Sequence, residues 1–336
     1  MRRHGPSVCG NMPYALFMEA SFNYLDESLE SSLRSNGRVF TRRDRDGSDA
    51  GTEGVVIDRH VQRVDDGRQL EGAENCTLDR SGFELLASPL GDSSLNFFDL
   101  EPVVEHYYGD CAALVQEATS ARDVYAFDHN VRSADGKKTR RRLASGQEVQ
   151  APARIVHGDY TLMSAPQRVL DLTQPLGQND TLRGMFDDGE SLVSQAQHEH
   201  VVQGGRFALI NVWRNISEGP VMRDPIAFCD AQSVDPDDLV VFEIRYHDRV
   251  GENYFAKHAD RHRWVFYPEM TRDEVVLIKQ WDSAGKLAHS EGRQADSSAS
   301  DSPCTFSFHS AFFDAKTPED APARWSIEVR CMAFFD

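Results

Sequence analysis

The feature that most limits the fold of this chain is a succession of short segments with the composition of β-strands. They are rich in β-branched and aromatic residues, and several of them alternate in polarity as half-buried strands do. Turn signals such as Asp235–Pro236 and Gly251 separate them. The segments are residues 123–131, 206–214, 239–246, 262–268, 274–282, 304–313 and 325–335.

Helices are predicted mainly before these segments. Residues 92–120 carry apolar side chains at three- and four-residue spacing, which predicts the longest helix, and shorter helices are expected at 165–176 and 179–200. Many strands after a helical start predict a mainly β fold with flanking helices (α+β), in which a sandwich or jelly-roll carries the helices outside.

Two units are predicted along the 336 residues. Residues 41–75 are charged and rich in Gly, so we expect residues 1–80 to form an extension that packs on a core made by residues 81–336. Residues 284–303 are poor in hydrophobic residues and predict a long loop, as do residues 133–150.

The charge of the chain limits its partners. A formal charge of −18 repels phosphate backbones, so nucleic acid is not an expected partner, and the basic run at 137–142 is interpreted as a solvated loop. The sequence contains no run of about 18 apolar residues, so no membrane span is predicted. The N-terminus lacks the apolar centre of a signal peptide. We expect a cytoplasmic protein that acts on a small molecule, with homodimerisation left open.

Twelve histidines offer several short patterns of metal-ligand type. Patterns this short arise by chance, so each needs support from its context. His258 lies in a charged, turn-like segment, His289 in the low-hydrophobicity loop, and His198 and His200 in a region predicted as helix, where residues two apart face different ways. The pairs are His157/Asp159, His198/His200, His258/Asp260 and His289/Glu291.

His157 and Asp159 have the best context. On a strand, residues i and i+2 project from one face, so both side chains and that of Thr161 are expected to converge, with Gly158 and Tyr160 opposite. A non-haem iron centre needs a third ligand and leaves positions open for O2 and a co-substrate. His309 lies in a β-rich segment and is the candidate for that ligand.

A second polar face supports a pocket near this centre. In the segment ARWSIEVR, strand periodicity places Arg324, Ser326, Glu328 and Arg330 together and Trp325, Ile327 and Val329 opposite. Such a face suits a pocket that binds a carboxylate. The Arg324 guanidinium offers a two-pronged contact, and the Ser326 hydroxyl adds one hydrogen bond.

Ordered blocks of the sequence resemble the hydroxylase/desaturase family of fungal and bacterial secondary metabolism. That family includes gibberellin desaturase, a cephem-methoxylase component and the AsaB-like and NvfI-like oxygenases. The resemblance covers roughly residues 80–336. The blocks are HGDYT (157–161), SAPQRV (164–169), INVWR (210–214), CDAQSVDPDDLV (229–240), HRWVFYPEMTRDEVVLIKQWDS (262–283), HSAFFDAKTPEDAPAR (309–324) and SIEVR (326–330).

The resemblance implies a double-stranded β-helix, a cupin-like jelly-roll that uses Fe(II), 2-oxoglutarate as co-substrate and O2. It assigns iron to His157, Asp159 and His309, and the carboxylate of 2-oxoglutarate to Arg324 and Ser326. Asn211 and Arg214 belong to a recurring block, and they either line the substrate pocket or bind the backbone of the fold.

The chain departs from the family pattern in three places. Ala323 and Trp325 replace the usual Pro and Glu beside Arg324, the two predicted loops are longer than usual, and the N-terminal third matches little. These departures leave the iron ligands intact and affect the identity of the substrate.

The expected function is therefore that of an oxidoreductase, a dioxygenase that hydroxylates, desaturates or cyclises a natural product or an amino-acid-like molecule. Three alternatives stay open. One is an iron oxygenase that does not consume 2-oxoglutarate, and another is a non-catalytic partner subunit of a two-component biosynthetic enzyme. The third is a cupin-like metal-binding protein that uses His198 and His200.

Overall fold

The β-rich segments form two sheets in a computed structural model of the chain, which describes residues 17–43, 49–143, 148–177, 180–183, 185, 187, 189–247, 249–292 and 302–336. The strands are β1 (Phe17–Leu25), β2 (Phe40–Arg43), β3 (Asp49–Glu53), β4 (Ile57–Asp66), β5 (Phe83–Ala87), β6 (Asp123–Arg132), β7 (His157–Gly158), β8 (Phe207–Asn215), β9 (Ile226–Cys229), β10 (Leu239–Arg245), β11 (Val250–Ala256), β12 (Trp264–Phe266), β13 (Glu274–Asp282), β14 (His309–Ala311) and β15 (Ser326–Phe334). The α-helices are α1 (Leu100–Pro102), α2 (Tyr108–Thr119), α3 (Ala134–Lys138), α4 (Ser164–Asp171) and α5 (Gln195–Val202).

The larger sheet has ten strands in the order β1-β4-β12-β9-β14-β7-β11-β10-β2-β3. Most neighbours are antiparallel, whereas β10/β2 and β12/β4 run parallel. The smaller sheet is antiparallel, in the order β5-β13-β8-β15-β6. The protein is therefore mainly β with helices added, as the sequence predicts.

Alternation along the small sheet separates two layers. On β15, Ile327 and Val329 join a core on the helix side, whereas Met332 and Phe334 join a core that includes residues of the large sheet. The longest helical segment, α1 and α2 joined by a π-helical turn (Val103–Tyr107), packs on β6 and β15 from the helix side. The face of the small sheet opposite the helices also carries the polar residues described below.

Most predicted elements are present with shifted ends. The predicted helix at 92–120 forms from Leu100 to Thr119, and the one at 179–200 is limited to Gln195–Val202, where the Ser194 side chain accepts from the Gln197 backbone N–H. All seven predicted strand segments contain a strand, although β12 and β14 are only three residues long.

The predicted extension at residues 1–80 contributes β1–β4 to the large sheet, so its described part pairs with later strands of the chain. Residues 1–16 lie outside the described residues, as do 144–147 and 293–301 of the two predicted loops. Within the described chain, no helix is long and apolar enough to cross a membrane.

Candidate metal centre

Two of the predicted ligands lie opposite each other on neighbouring strands. β7 sits between β11 and β14, and His157 of β7 pairs directly with His309 of β14. Directly paired residues project from the same face of a sheet, so the two imidazole rings meet, with their centroids 4.3 Å apart. Both rings are buried.

Asp159 also lies near the two histidines, but it is positioned by other contacts than those predicted. We expected one strand to present His157, Asp159 and Thr161, but β7 ends at Gly158, so this expectation was wrong. The backbone N–H of Asp159 donates to the Gln280 side chain, 2.9 Å away, instead of to a neighbouring strand. Thr161 turns away, and its hydroxyl accepts from the backbone N–H of Ser164 at the start of α4.

The three side chains nevertheless converge. His157 Nε2 lies 3.8 Å from Asp159 Oδ1, and one ligand atom from each of His157, Asp159 and His309 lies within 4.8 Å of the others. Among the described residues this is the one group of three or more His, Cys, Asp or Glu side chains close enough to hold a metal ion. Ligands at about 2.1 Å from a shared ion and at right angles are about 3 Å apart, so the three side chains would move closer together around an ion.

Hydrogen bonding prepares His157 as a ligand. Its Nδ1 lies 2.8 Å from the carbonyl oxygen of Ile155, so Nδ1 carries the proton and Nε2 is left with a free lone pair. Nδ1 of His309 is buried and has no hydrogen-bond partner within the described chain.

The ionisation states also suit a cation. Burial lowers the pKa of His157 and of His309 to about 4, so both rings are neutral at pH 7. Burial raises the pKa of Asp159, but Arg330 and the two histidines outweigh it and hold that pKa well below its usual range. Metal ligands must be neutral imidazole and ionised carboxylate, and these are the states found.

One carboxylate oxygen of Asp159, Oδ2, accepts hydrogen bonds from neighbouring side chains. Asn211 Nδ2 donates to Asp159 Oδ2 (2.9 Å) and to Glu328 Oε1 (2.7 Å), and Arg330 Nε lies 3.3 Å from the same Oδ2. Arg330 also donates to Asp128 at 2.8 Å. Oδ2 is therefore occupied, and Oδ1 is the oxygen that faces His157.

Arg324 and Ser326 lie on the predicted polar face. Ser326, Glu328 and Arg330 share one face of β15, and all are largely buried. Arg324 is 3% exposed, lies over the Trp213 ring and donates to the backbone carbonyl of Asp224. Burial lowers its pKa to about 10, and its buried Nε has no acceptor among the described residues. A bound anion would supply the missing acceptor for this N–H group.

Comparisons with known proteins show the family to which the chain belongs. A family model described as "Oxidoreductase/YMDC permease-like domain" matches residues 22–334. A protein of Methylophilus leisingeri named for the dcmA 3′ region is 40% identical over 200 residues, 59% of this chain and 91% of that protein. The Fe(II)/2-oxoglutarate-dependent dioxygenase nvfI of Aspergillus novofumigatus is 30% identical over 238 residues, 70% of this chain and 69% of that protein. Further relatives are named hydroxylase/desaturases.

The chain belongs to the hydroxylase/desaturase family of NvfI-like Fe(II)/2-oxoglutarate-dependent oxygenases. The solved structure of the iron and alpha-ketoglutarate-dependent endoperoxidase NvfI shares the fold, with a TM-score of 0.69 and 21% identity over 95% of this chain and 98% of that one. The resemblance stated from the sequence blocks is thus confirmed.

The residues of this family member fit a ferrous ion. Two neutral imidazoles and one carboxylate are the donor set of non-haem iron sites that leave positions open. The buried Nε of Arg324, without an acceptor among the described residues, fits a carboxylate ligand beside them.

The structure separates the two candidate substrate residues. Asn211 faces the metal centre, whereas Arg214 lies on the helix side of β8. The Arg214 guanidinium makes four hydrogen bonds, to the Tyr107 hydroxyl, the Ser88 carbonyl and hydroxyl and the Arg272 carbonyl. Arg214 is therefore not part of the candidate metal site, the triad of His157, Asp159 and His309.

The competing histidine pairs have other surroundings. His200, on α5, lies 3.1 Å from the Phe335 carbonyl oxygen. His258 stacks on His60 with ring centroids 3.7 Å apart, while its pattern partner Asp260 is fully exposed. His289 is exposed and is the last residue of a short 3-10 helix (Lys286–His289). None of these residues joins the triad.

Gln280, Asp128 and Arg132 are functional candidates that sequence reasoning did not place. Gln280 on β13 holds the backbone of Asp159, and Asp128 on β6 holds Arg330. Arg132 on β6 stands across from Ser326. The available signal was the polar alternation of Asp128, Asn130 and Arg132 in the second half of β6.

Proposed function

We propose that this chain is an Fe(II)/2-oxoglutarate-dependent dioxygenase with a double-stranded β-helix core. The observation that carries the proposal is the convergence of two neutral, buried histidines and one ionised aspartate. It is supported by the buried Arg324, whose Nε has no acceptor among the described residues. The proposed substrate is a small natural product or an amino-acid-like molecule, which is hydroxylated, desaturated or oxidatively cyclised.

Each residue has a defined task in this proposal. His157 Nε2, Asp159 Oδ1 and a ring nitrogen of His309 would hold the iron, and Arg324 and Ser326 would hold the distal carboxylate of 2-oxoglutarate. Bound iron, O2 and 2-oxoglutarate together supply the oxidising chemistry. Asn211 and Arg330 keep the second oxygen of Asp159 engaged, so that carboxylate offers one oxygen to the ion.

Burial of the centre excludes bulk water. The side chains of His157 and Asp159 are 7% and 8% exposed. In such surroundings the charges of Arg324, Arg330 and Asp159 act strongly on a bound anion or cation, because little water screens them.

The test measures binding before turnover. Anaerobic titration with Fe(II) and 2-oxoglutarate is expected to give one metal per chain and a visible charge-transfer absorption. His157→Ala should abolish both signals, while the matched control His289→Ala, at an exposed histidine, should keep them. Binding that survives His157→Ala would contradict the proposed ligand set and favour the non-catalytic partner subunit.

Turnover then separates the two kinds of iron oxygenase. With its substrate, the enzyme is expected to release one succinate for each product formed. Product without succinate would show an iron oxygenase that does not consume 2-oxoglutarate.

A further inference from the structure

β6 brings a second arginine to the carboxylate side of the candidate site. Arg132 pairs directly with Ser326 of β15, so the two side chains project from the same face of the small sheet. On β8, Asn215 pairs with Ser326 and Trp213 pairs with Glu328, and the Arg324 guanidinium lies over the Trp213 ring, 5.3 Å from its centroid. Arg132 therefore approaches the Ser326 position from the β6 side and Arg324 from the β8 side.

Both guanidiniums lack the partner that other buried arginines have. Arg330 and Arg168 each donate to a carboxylate at 2.8 Å, and Arg214 makes four hydrogen bonds. By contrast, Arg132 Nη1 donates to the backbone carbonyl of Ala151 at 3.1 Å, and Arg324 donates to that of Asp224. Within the described chain, neither has a hydrogen bond to a carboxylate.

The acids near this pair have other hydrogen-bond partners. Glu328, the next residue on the same face of β15, accepts from Asn211 Nδ2 at 2.7 Å. The Asp224 carboxylate is engaged by Arg154. Burial lowers the pKa of Arg324, and repulsion by Arg132 adds to this effect. Two like charges held close in a partly dry site are stabilised when an anion binds between them.

We propose that Arg132 and Arg324 form a two-guanidinium cradle, centred on Ser326, for one carboxylate: the distal carboxylate of the keto-acid co-substrate. The inference rests on the proposed function, because it names a second residue for a ligand that function requires. It makes Arg132 a positioning residue for 2-oxoglutarate and gives the site selectivity for dicarboxylate keto-acids over keto-acids that end in a methyl group.

The test uses calorimetric binding to the full-length protein loaded with Mn(II). The probes are 2-oxoglutarate and 2-oxobutanoate, which keeps the keto-acid end and lacks the distal carboxylate. Arg132→Gln is expected to weaken the binding of 2-oxoglutarate at least tenfold and to leave the affinity for 2-oxobutanoate unchanged. Arg122→Gln, which removes an exposed arginine next to the start of β6, is the matched control and should change neither.

A double variant tests whether the two arginines hold the same carboxylate. The loss in Arg132→Gln/Arg324→Gln should be smaller than the product of the two single losses, because the second substitution removes a contact to a carboxylate already released. If Arg132→Gln does not fold, as judged by circular dichroism, Arg132→Lys is measured instead and should weaken 2-oxoglutarate selectively.

The outcomes separate this inference from the proposed function. If the wild-type protein binds no keto-acid in the presence of metal, the proposed function fails. If the wild type binds 2-oxoglutarate and Arg132→Gln binds it equally well, the inference is overturned and the function stands. Equally weakened binding of both probes, or weakened binding of 2-oxobutanoate alone, also overturns the inference.

Discussion

At the scale of single residues, the amide of Asn211 decides which oxygen of Asp159 faces the histidines. It donates to Oδ2 at 2.9 Å and is itself located by Glu328. The sequence placed Asn211 in a recurring block and left two roles open, pocket lining or binding the fold. Its observed role is to orient a candidate ligand, which no periodicity could show because the contact joins residues 52 apart.

Asn211→Ala should weaken Fe(II) binding about 10- to 100-fold, because Asp159 loses the hydrogen bond that orients it. Asn215→Ala, on the same strand, is the control. Asn215 Nδ2 binds the carbonyls of Gly219 and Met270, so its loss should lower the melting temperature and leave metal affinity unchanged. Equal metal affinity in wild type and Asn211→Ala would contradict the orienting role.

A buried ion network beside the small sheet gives a second residue-scale prediction. Asp282 is fully buried and accepts from Lys279 Nζ at 3.0 Å and from Arg206 at 2.8 Å and 3.1 Å. Asp282→Asn leaves the buried Lys279 with the exposed Asp79, 3.0 Å away, in place of two carboxylates, so we expect a loss of about 3 kcal/mol in the free energy of unfolding. Asp260→Asn, at a fully exposed site, should cause no measurable loss.

The same network predicts a pH dependence. Burial raises the pKa of Asp282, but the charges of Lys279 and Arg206 lower it by a larger amount. Its folded-state pKa therefore lies below its unfolded value of about 3.9. Its stabilisation is therefore complete above about pH 4 and is lost as the pH falls through the folded-state pKa. The stability difference between wild type and Asp282→Asn, measured by urea unfolding, should be constant from pH 5 to 8 and narrow below pH 4.

At the scale of elements, a β-bulge explains why the sequence predicted one side of the site and not the other. On β15 the alternation of Ser326, Glu328 and Arg330 is unbroken, so the polar face could be predicted from sequence. On β6 the register shifts where Cys331 pairs with Ala126 and Arg330 with Asp128. Ala126 joins the helix-side core, and the shift turns Asp128 and Arg132 to the opposite face.

The short β7 shows the same limit. The β-rich contexts of His157 and His309 predicted two ligands on strands, and they are found there. Asp159 lies beyond the strand end, and its position depends on Gln280, 121 residues later. A contact between distant segments leaves no periodic signal, so the ligand could be named from sequence while its geometry could not.

Gly158 gives the element-scale prediction. A Cβ at this position would lie 3.0 Å and 3.2 Å from two ring atoms of Phe306, which is buried in the core. Gly158→Ala should therefore cost about 1–3 kcal/mol of stability and weaken Fe(II) binding, because overpacking shifts β7 and its ligand. Gly219→Ala, where a Cβ meets nothing within 4 Å, is the control. Unaltered melting and metal affinity in Gly158→Ala would contradict this packing.

At the scale of the whole molecule, the cysteines report on how well the cores exclude water. Burial raises the pKa of Cys76 to about 11 and those of Cys111, Cys229 and Cys304 to about 12, and Cys331 is also raised. Because the thiolate is the reactive form, these thiols should be inert in the folded protein.

A Cys9→Ser variant tests this exclusion, since Cys9 lies outside the described residues. With a thiol-specific reagent at pH 8, the native protein should show no fast reaction, and the denatured protein should show five reactive thiols. One rapidly labelled thiol in native buffer would show that a core is open to solvent.

The pairing of His157 with His309 has a consequence for how the protein is made. The two candidate ligands are 152 residues apart in the chain. A polypeptide still emerging from the ribosome holds His157 and Asp159 without their third partner until the segment that carries His309 has been made. Contacts this distant in sequence form late and slowly, because a long loop must close first. Under the proposed function, iron that binds the completed site stabilises the folded state by mass action, so a larger iron supply should raise the fraction of the chain that is folded.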